Sequence, residues 1–137
     1  MTWLYEDKEF TPDEYFLDPY QGFVYQITEL DTGMKYIGKK FFWKPKTLPV
    51  TKTRKRRVKT RVESDWMKYY GSSQELKEAV AQRGANNYKR EILKLCLTKG
   101  ECSYYEAKLQ FEYDVLLRDD YYNAFIGCKI HAKHLPK

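Results

Sequence analysis

The sequence predicts an α+β fold in a single domain, and three observations predict it. Residues 22–38, GFVYQITELDTGMKYIG, hold two strand-like runs either side of a turn. Residues 88–95 hold a further run in which apolar Tyr88, Ile92 and Leu95 are separated by charge. Two stretches, near 73–83 and 103–118, repeat apolar residues at helical spacing. A chain of 137 residues, 42% of them hydrophobic, suffices for one buried core and is short for two.

Taken in order, residues 1–20 come first and are acidic. Glu6, Asp7, Glu9, Asp13, Glu14 and Asp18 face a single Lys8. They read as an N-terminal arm, either folded back over basic residues or loose in solvent. The hairpin follows. Phe23, Val24, Tyr25 and Ile27 precede Asp31-Thr32-Gly33, and Met34, Tyr36 and Ile37 follow it. Gly33 supplies the positive φ that a tight reversal needs. The β-branched and aromatic flanks suit strands. Tyr25 and Tyr36 then lie on neighbouring antiparallel strands.

From residue 39 to residue 61 there is no acidic residue. Lys39, Lys40, Lys44, Lys46, Lys52, Arg54, Lys55, Arg56, Arg57, Lys59 and Arg61 recur through it. Pro45 and Pro49 deny it a long helix, so it reads as an extended basic loop. Eleven uncompensated cations repel one another unless an anion lies nearby. A nucleic-acid backbone is the natural one, and binding it releases counterions. A nuclear-localisation signal over 52–61 is the other reading of the same residues.

Helical patterning starts at Ser64, which can cap a short piece, 65–70, that ends at Gly71. Ser72 or Ser73 caps the next helix, with Leu76, Ala79, Val80 and Arg83 at helical spacing and Gly84 as the stop. The strand 88–95 follows. A longer helix over 103–118 carries Tyr104, Ala107, Phe111, Val115 and Leu116, and Asp119-Asp120 breaks it. Tyr121, Tyr122, Phe125 and Ile126 surround Asn123 in a short apolar segment. Residues 128–137 form a short basic tail.

Composition limits the function. The net charge is +6, which points to an anionic partner without naming it. Aromatic residues reach 17%, and aromatics among cations add stacking to phosphate attraction. Most of the tyrosines are expected to pack. No apolar run approaches a membrane span, and the early carboxylates do not fit a secretory leader. Cys96, Cys102 and Cys128 are odd in number and lack CxxC spacing, which favours reduced thiols in a cytoplasm. A zinc site from Cys128, His131 and His134 with Cys96 or Cys102 is open, although the spacing matches no standard pattern. No Gly-rich phosphate loop, Ser/His/Asp arrangement or paired-His metal motif is present.

Phe23-Val24-Tyr25 and Tyr36-Ile37-Gly38 stand where GIY-YIG nucleases carry their two name-giving tripeptides, and the stretch resembles that family. Gly22 is displaced by one residue from the usual glycine. The order hairpin–helix–helix–strand–helix also resembles the family over 22–126. The implied fold is a small three-stranded antiparallel sheet flanked by helices, a domain of residues 21–127 with the basic loop 39–61 inserted. Gly71-Ser72-Ser73 with Leu76, Val80 and Gly84, the run Tyr36 to Trp43, and Glu63-Ser64-Asp65-Trp66 look like small endonucleases of tailed phages.

The resemblance implies metal-dependent hydrolysis of phosphodiester bonds in double-stranded DNA, for genome degradation, nicking or homing. It implies Mg²⁺ or Mn²⁺ as cofactor, and the host cytoplasm as location if the chain is phage-encoded. Tyr25 would act as general base or position the water, and Tyr36 would support it. A free phenol titrates near pH 10, so such a base needs help from cations. Glu106 is the preferred metal ligand and Glu112 the alternative. They stand six residues apart, roughly 240° around a helix, and cannot share one face. One carboxylate suffices if water and phosphate complete the octahedron. Asn123 matches the family's late asparagine. The family's arginine past the second tyrosine has no unique counterpart, and Lys40, Arg57 and Arg61 are the candidates to stabilise phosphoryl charge. Lys39, Lys44, Lys46, Lys52, Arg54, Lys55, Arg56 and Lys59 would grip the DNA backbone. Target choice would fall to the basic loop, the N-terminal arm or a homodimer. The competing function is a nucleic-acid-binding protein that kept the fold and does not cut.

Overall fold

The computed structural model describes residues 2–127 and 132–136. Its elements run β1 (Leu4–Tyr5), β2 (Lys8–Glu9), α1 (Glu14–Leu17), β3 (Gly22–Glu29), β4 (Lys35–Phe41), β5 (Trp43–Leu48), β6 (Val58–Glu63), α2 (Gln74–Arg83), β7 (Tyr88–Cys96) and α3 (Lys99–Glu112). The main sheet has five strands in the order β2-β1-β7-β3-β4, and it is mixed because β1 runs parallel to β7. The three-stranded antiparallel sheet expected from sequence is therefore its β7-β3-β4 part, and the full sheet is larger.

The two extra strands come from the acidic N-terminal stretch. Leu4 and Tyr5 pair with Glu91 and Ile92, while Trp3, Phe10 and Leu17 are buried. The carboxylates made this stretch look solvated, but they are spaced by apolar residues that reach the core. The basic stretch holds a second surprise. Residues 43–48 and 58–63 pair as a two-stranded antiparallel ribbon, from Trp43 opposite Glu63 to Leu48 opposite Val58. Pro45 is tolerated because a two-stranded ribbon has free edges that ask for no donor there.

Strand β3 is central and covered on both faces, which explains its nearly unbroken apolar run. Its alternation splits the core in two. Phe23, Tyr25 and Ile27 enter a cluster with Trp3, Phe42, Trp66, Leu76 and Tyr88, roofed by the N-terminal segment, the turn 66–68 and α2. Val24 enters the other cluster with Ile37, Cys96, Cys102, Val115 and Tyr121, roofed by α3. A bulge in β7 opposite Val24 and Tyr25 skips Leu93, so that Ile92 and Leu95 both face the first cluster.

The helix boundaries differ from expectation in two elements. Ser73 caps α2 and Gly84 ends it, as the pattern predicts. The piece after Ser64 is a single 3-10 turn, and Ser64 instead donates its hydroxyl to Phe41 O at 2.6 Å. Helix α3 begins earlier, capped by Thr98, and stops at Tyr113, because Asp114 takes φ 51°. Val115 still reaches the core from the turn that follows.

Candidate active site

Antiparallel pairing sets Tyr25 opposite Gly38 and Ile27 opposite Tyr36, so the two tyrosines share one face of the sheet. Their rings lie 6.2 Å apart, tilted by 36°. Gly38 makes this possible. A Cβ there would stand 2.5 Å from Tyr25 Oη and 2.8 Å from Tyr36 Cε1. The glycine of Tyr-Ile-Gly is thus the floor on which both phenols rest.

The two phenols have different surroundings. Tyr25 is fully buried, and its hydroxyl has no hydrogen-bond partner among the described residues. The nearby Tyr69 ring meets it edge-on at 6.0 Å. Burial first, then the neighbouring Tyr69 and Tyr36, push its phenol well above 10, so it stays protonated at neutral pH. Tyr36 reaches the surface and shares a 2.9 Å hydrogen bond with Ser72. Burial raises its phenol too, against the lowering effect of that bond.

Tyr36 lines a cleft of about 350 Å³ together with Glu106, Gln110, the start of α2 at Ser72–Gln74, residues 122–125 and Gly127. Glu106 arrives from α3 on the other side of the sheet and meets Tyr36 around the edge strand β4. Its side chain is only 16% exposed, and Lys39 Nζ lies 3.7 Å away while also donating to Ser103 Oγ at 2.9 Å. Burial lifts the Glu106 carboxyl above the ordinary carboxylate range, and Lys39 pulls against that rise. A carboxylate kept short of counter-charge in a cleft gains from an arriving cation.

Asn123 forms a wall rather than a reactive group. Its Nδ2 donates to Ile37 O at 2.8 Å and its Oδ1 accepts from Ile37 N at 3.1 Å, copying a strand partner on the edge of β4. Buried Gln110 donates to the same carbonyl at 2.9 Å. Behind them, Glu29 accepts hydrogen bonds from Tyr88 and Tyr122, each at 2.8 Å, and from Thr32 at 2.7 Å. Burial alone would raise that carboxyl, but these donors and Arg83 hold it below its usual value. The Glu29 cluster thereby fixes Tyr122 beside Asn123.

The structure thus brings Tyr36, Glu106 and Asn123 to one cleft with Tyr25 beneath, and it sets Glu112 apart. Glu112 is half-exposed in the last turn of α3, 3.9 Å from Lys108. Lys40, Arg57 and Arg61 are not brought to the cleft, none of whose lining residues is cationic. Lys40 points to the opposite face from Lys39, where it pairs with Asp65 at 2.8 Å and covers Tyr69 at 4.3 Å. Arg61 stacks on Trp43 at 4.1 Å and bonds Asp18 at 2.8 Å. Arg57 lies in the loop at the far end of the ribbon, with Lys52, Arg54, Lys55 and Arg56. Sequence reasoning missed Ser72, Gln110 and Tyr122. Their signals were a helix-cap serine, a residue one turn beyond Glu106 and a neighbour of Asn123, none of which names a cleft.

A family model described as "Putative endonuclease segE, GIY-YIG domain" matches residues 3–126. The chain belongs to this GIY-YIG endonuclease family. No curated protein and no solved structure matches it. The match takes in the N-terminal strands and the ribbon as well as the tyrosine hairpin, in keeping with their place in the fold.

In this GIY-YIG domain no group of three or more His, Cys, Asp or Glu converges among the described residues. Glu106 is therefore a lone carboxylate, and it fits a hard cation only if water and phosphate oxygens complete the shell. The zinc reading rests on Cys128 and His131, which lie outside the described residues. Cys96 and Cys102 are buried free thiols. Among the described residues no helix is long and apolar enough to cross a membrane.

Proposed function

We propose that this GIY-YIG domain is a Mg²⁺- or Mn²⁺-dependent endonuclease that hydrolyses phosphodiester bonds in double-stranded DNA. The observation that carries the reading is the cleft in which Glu106 from α3 and Tyr36 from β4 meet, with the Tyr25 hydroxyl directly behind. Glu106 would hold the metal, and a bound divalent ion neutralises phosphoryl charge and activates water. Both phenols keep their protons, so they would orient the attacking water and the phosphate by hydrogen bonds rather than as anions. The first turn of α2 borders the cleft, and its free N–H groups and dipole favour a phosphate there. Lys39 would release Glu106 to the metal and turn to a phosphoryl oxygen. We place the reaction in a host cytoplasm, where Cys96 and Cys102 stay reduced, with a homodimer as the form that pairs two cuts.

The test is incubation of the purified protein with supercoiled plasmid, in Mg²⁺ and in EDTA. Nicked or linear plasmid with metal alone is the expected result. Equal cutting in EDTA would remove the metal from the mechanism. Binding without cutting under every metal would favour the non-cleaving reading.

A further inference from the structure

The register of the ribbon gives it two unlike faces. One carries Trp43, Pro45, Thr47, Lys59, Arg61 and Glu63. It is braced at its base by residues 18–20, since Trp43 Nε1 donates to Tyr20 O at 2.8 Å and Arg61 Nη2 donates to Asp18. The other face carries Lys44, Lys46, Leu48, Val58, Thr60 and Val62, of which Lys44, Lys46, Val58 and Thr60 are exposed. Lys44 continues into a hollow of about 280 Å³ at the joint between the ribbon and the main sheet, where Lys39, Lys40 and Lys99 also line the wall. Lys39 already reaches Glu106, and Lys40 holds Asp65, the carboxylate of the hollow, at 2.8 Å, which leaves Lys44 and Lys99 with no ion pair among the described residues. Lys39 forms the partition between this hollow and Glu106.

We propose that this hollow seats a backbone phosphate of duplex DNA next to the scissile one, gripped by Lys44 and Lys99, and that only the Lys44/Lys46 face of the ribbon lies along the DNA. The chemistry is a phosphodiester anion meeting flexible ammonium groups, so the seat ignores base identity. Lys99, from the first turn of α3, is the member that the charge pattern of residues 39–61 does not contain. Arg61 then has a bracing role. It holds the back of the ribbon against the N-terminal segment, so that the lysine face keeps a fixed angle to the cleft. The seat rests on the DNA-nuclease reading above.

The experiment measures binding of a short duplex by fluorescence anisotropy across salt concentrations, in the Glu106→Gln background so that cutting does not interfere. Removing two phosphate contacts with Lys44→Gln and Lys99→Gln should lower the salt slope by about 1.8 and weaken binding roughly 60-fold at 0.1 M salt. The substitution Lys59→Gln removes one charge from the braced face, leaves the Arg61 brace in place, and should keep the slope within about 0.3 of the parent. A loss per removed charge equal to that of the Lys44/Lys99 variant would show that charge alone matters and overturn the one-faced seat. An unchanged slope in the Lys44/Lys99 variant, with the parent still binding DNA, would overturn the seat and leave the nuclease reading standing. A parent that binds no duplex at any salt would overturn both.

Discussion

Tyr25→Phe should separate stability from function in this fold. The hydroxyl it removes is buried, unpaired, and wedged 3.6 Å from where a side chain on Gly71 would begin. A buried hydroxyl without a partner costs about 1–3 kcal/mol, which the substitution returns. The space vacated is one oxygen atom, worth only about a few tenths of a kcal/mol at the usual cost of cavity volume. The variant should therefore be more stable by about 1–2 kcal/mol. For 137 residues, that corresponds to a rise in Tm of roughly 3–7 °C. Cleavage should move the other way, falling at least about a hundredfold if the hydroxyl turns to the water or phosphate once DNA is bound. Urea unfolding and plasmid nicking on the same preparation measure both quantities. A loss of 1 kcal/mol or more would mean that the hydroxyl is bonded in the folded protein, and the burial argument would fail. Full cleavage activity would remove Tyr25 from the reaction.

Gly38→Ala places a methyl into both phenols and should cost about 1–3 kcal/mol of stability, with cleavage lost as the rings part; calorimetry and nicking report the two effects. Glu106→Ala should abolish cutting while duplex binding persists, and Glu112→Ala, removing a half-exposed carboxylate outside the cleft, should cut at a normal rate; the reverse outcome in a plasmid assay would exchange the two roles. Glu29→Gln weakens the donors' shared acceptor and should cost about 2–3 kcal/mol at pH 7. Because the Glu29 carboxyl is held below its ordinary value, its contribution is present above the unfolded pKa and is lost as pH falls through the folded one. Wild type and Glu29→Gln should thus converge in stability in acid, and a gap that stays constant from pH 7 to pH 3 would contradict the cluster's role.

The hairpin around Gly33, α2 between Ser73 and Gly84, and strand β7 were legible because local chemistry dictates them. Turn glycine, capping hydroxyl and apolar period each act within a few residues, and each left its mark in the chain. The end of α3 was less legible. Val115 continues the apolar stripe, but a left-handed Asp114 carries it to the core from a turn, and periodicity cannot see a backbone reversal.

By itself the sequence determined the pair of tyrosines on adjacent strands, a glutamate on the following helix, and a concentration of positive charge between them. Only the tertiary structure decided which charges matter where. Strand alternation sent Lys39 to Glu106 and Lys40 to Asp65, although the two are neighbours in the chain. Pairing with β7 turned an acidic arm into part of the sheet, because three buried side chains outweigh carboxylates that can remain in water. The ribbon held Arg61 against Asp18, outside the cleft it seemed suited to serve. Long-range contacts of this kind depend on which surfaces fold against one another, and no window of neighbouring residues records that.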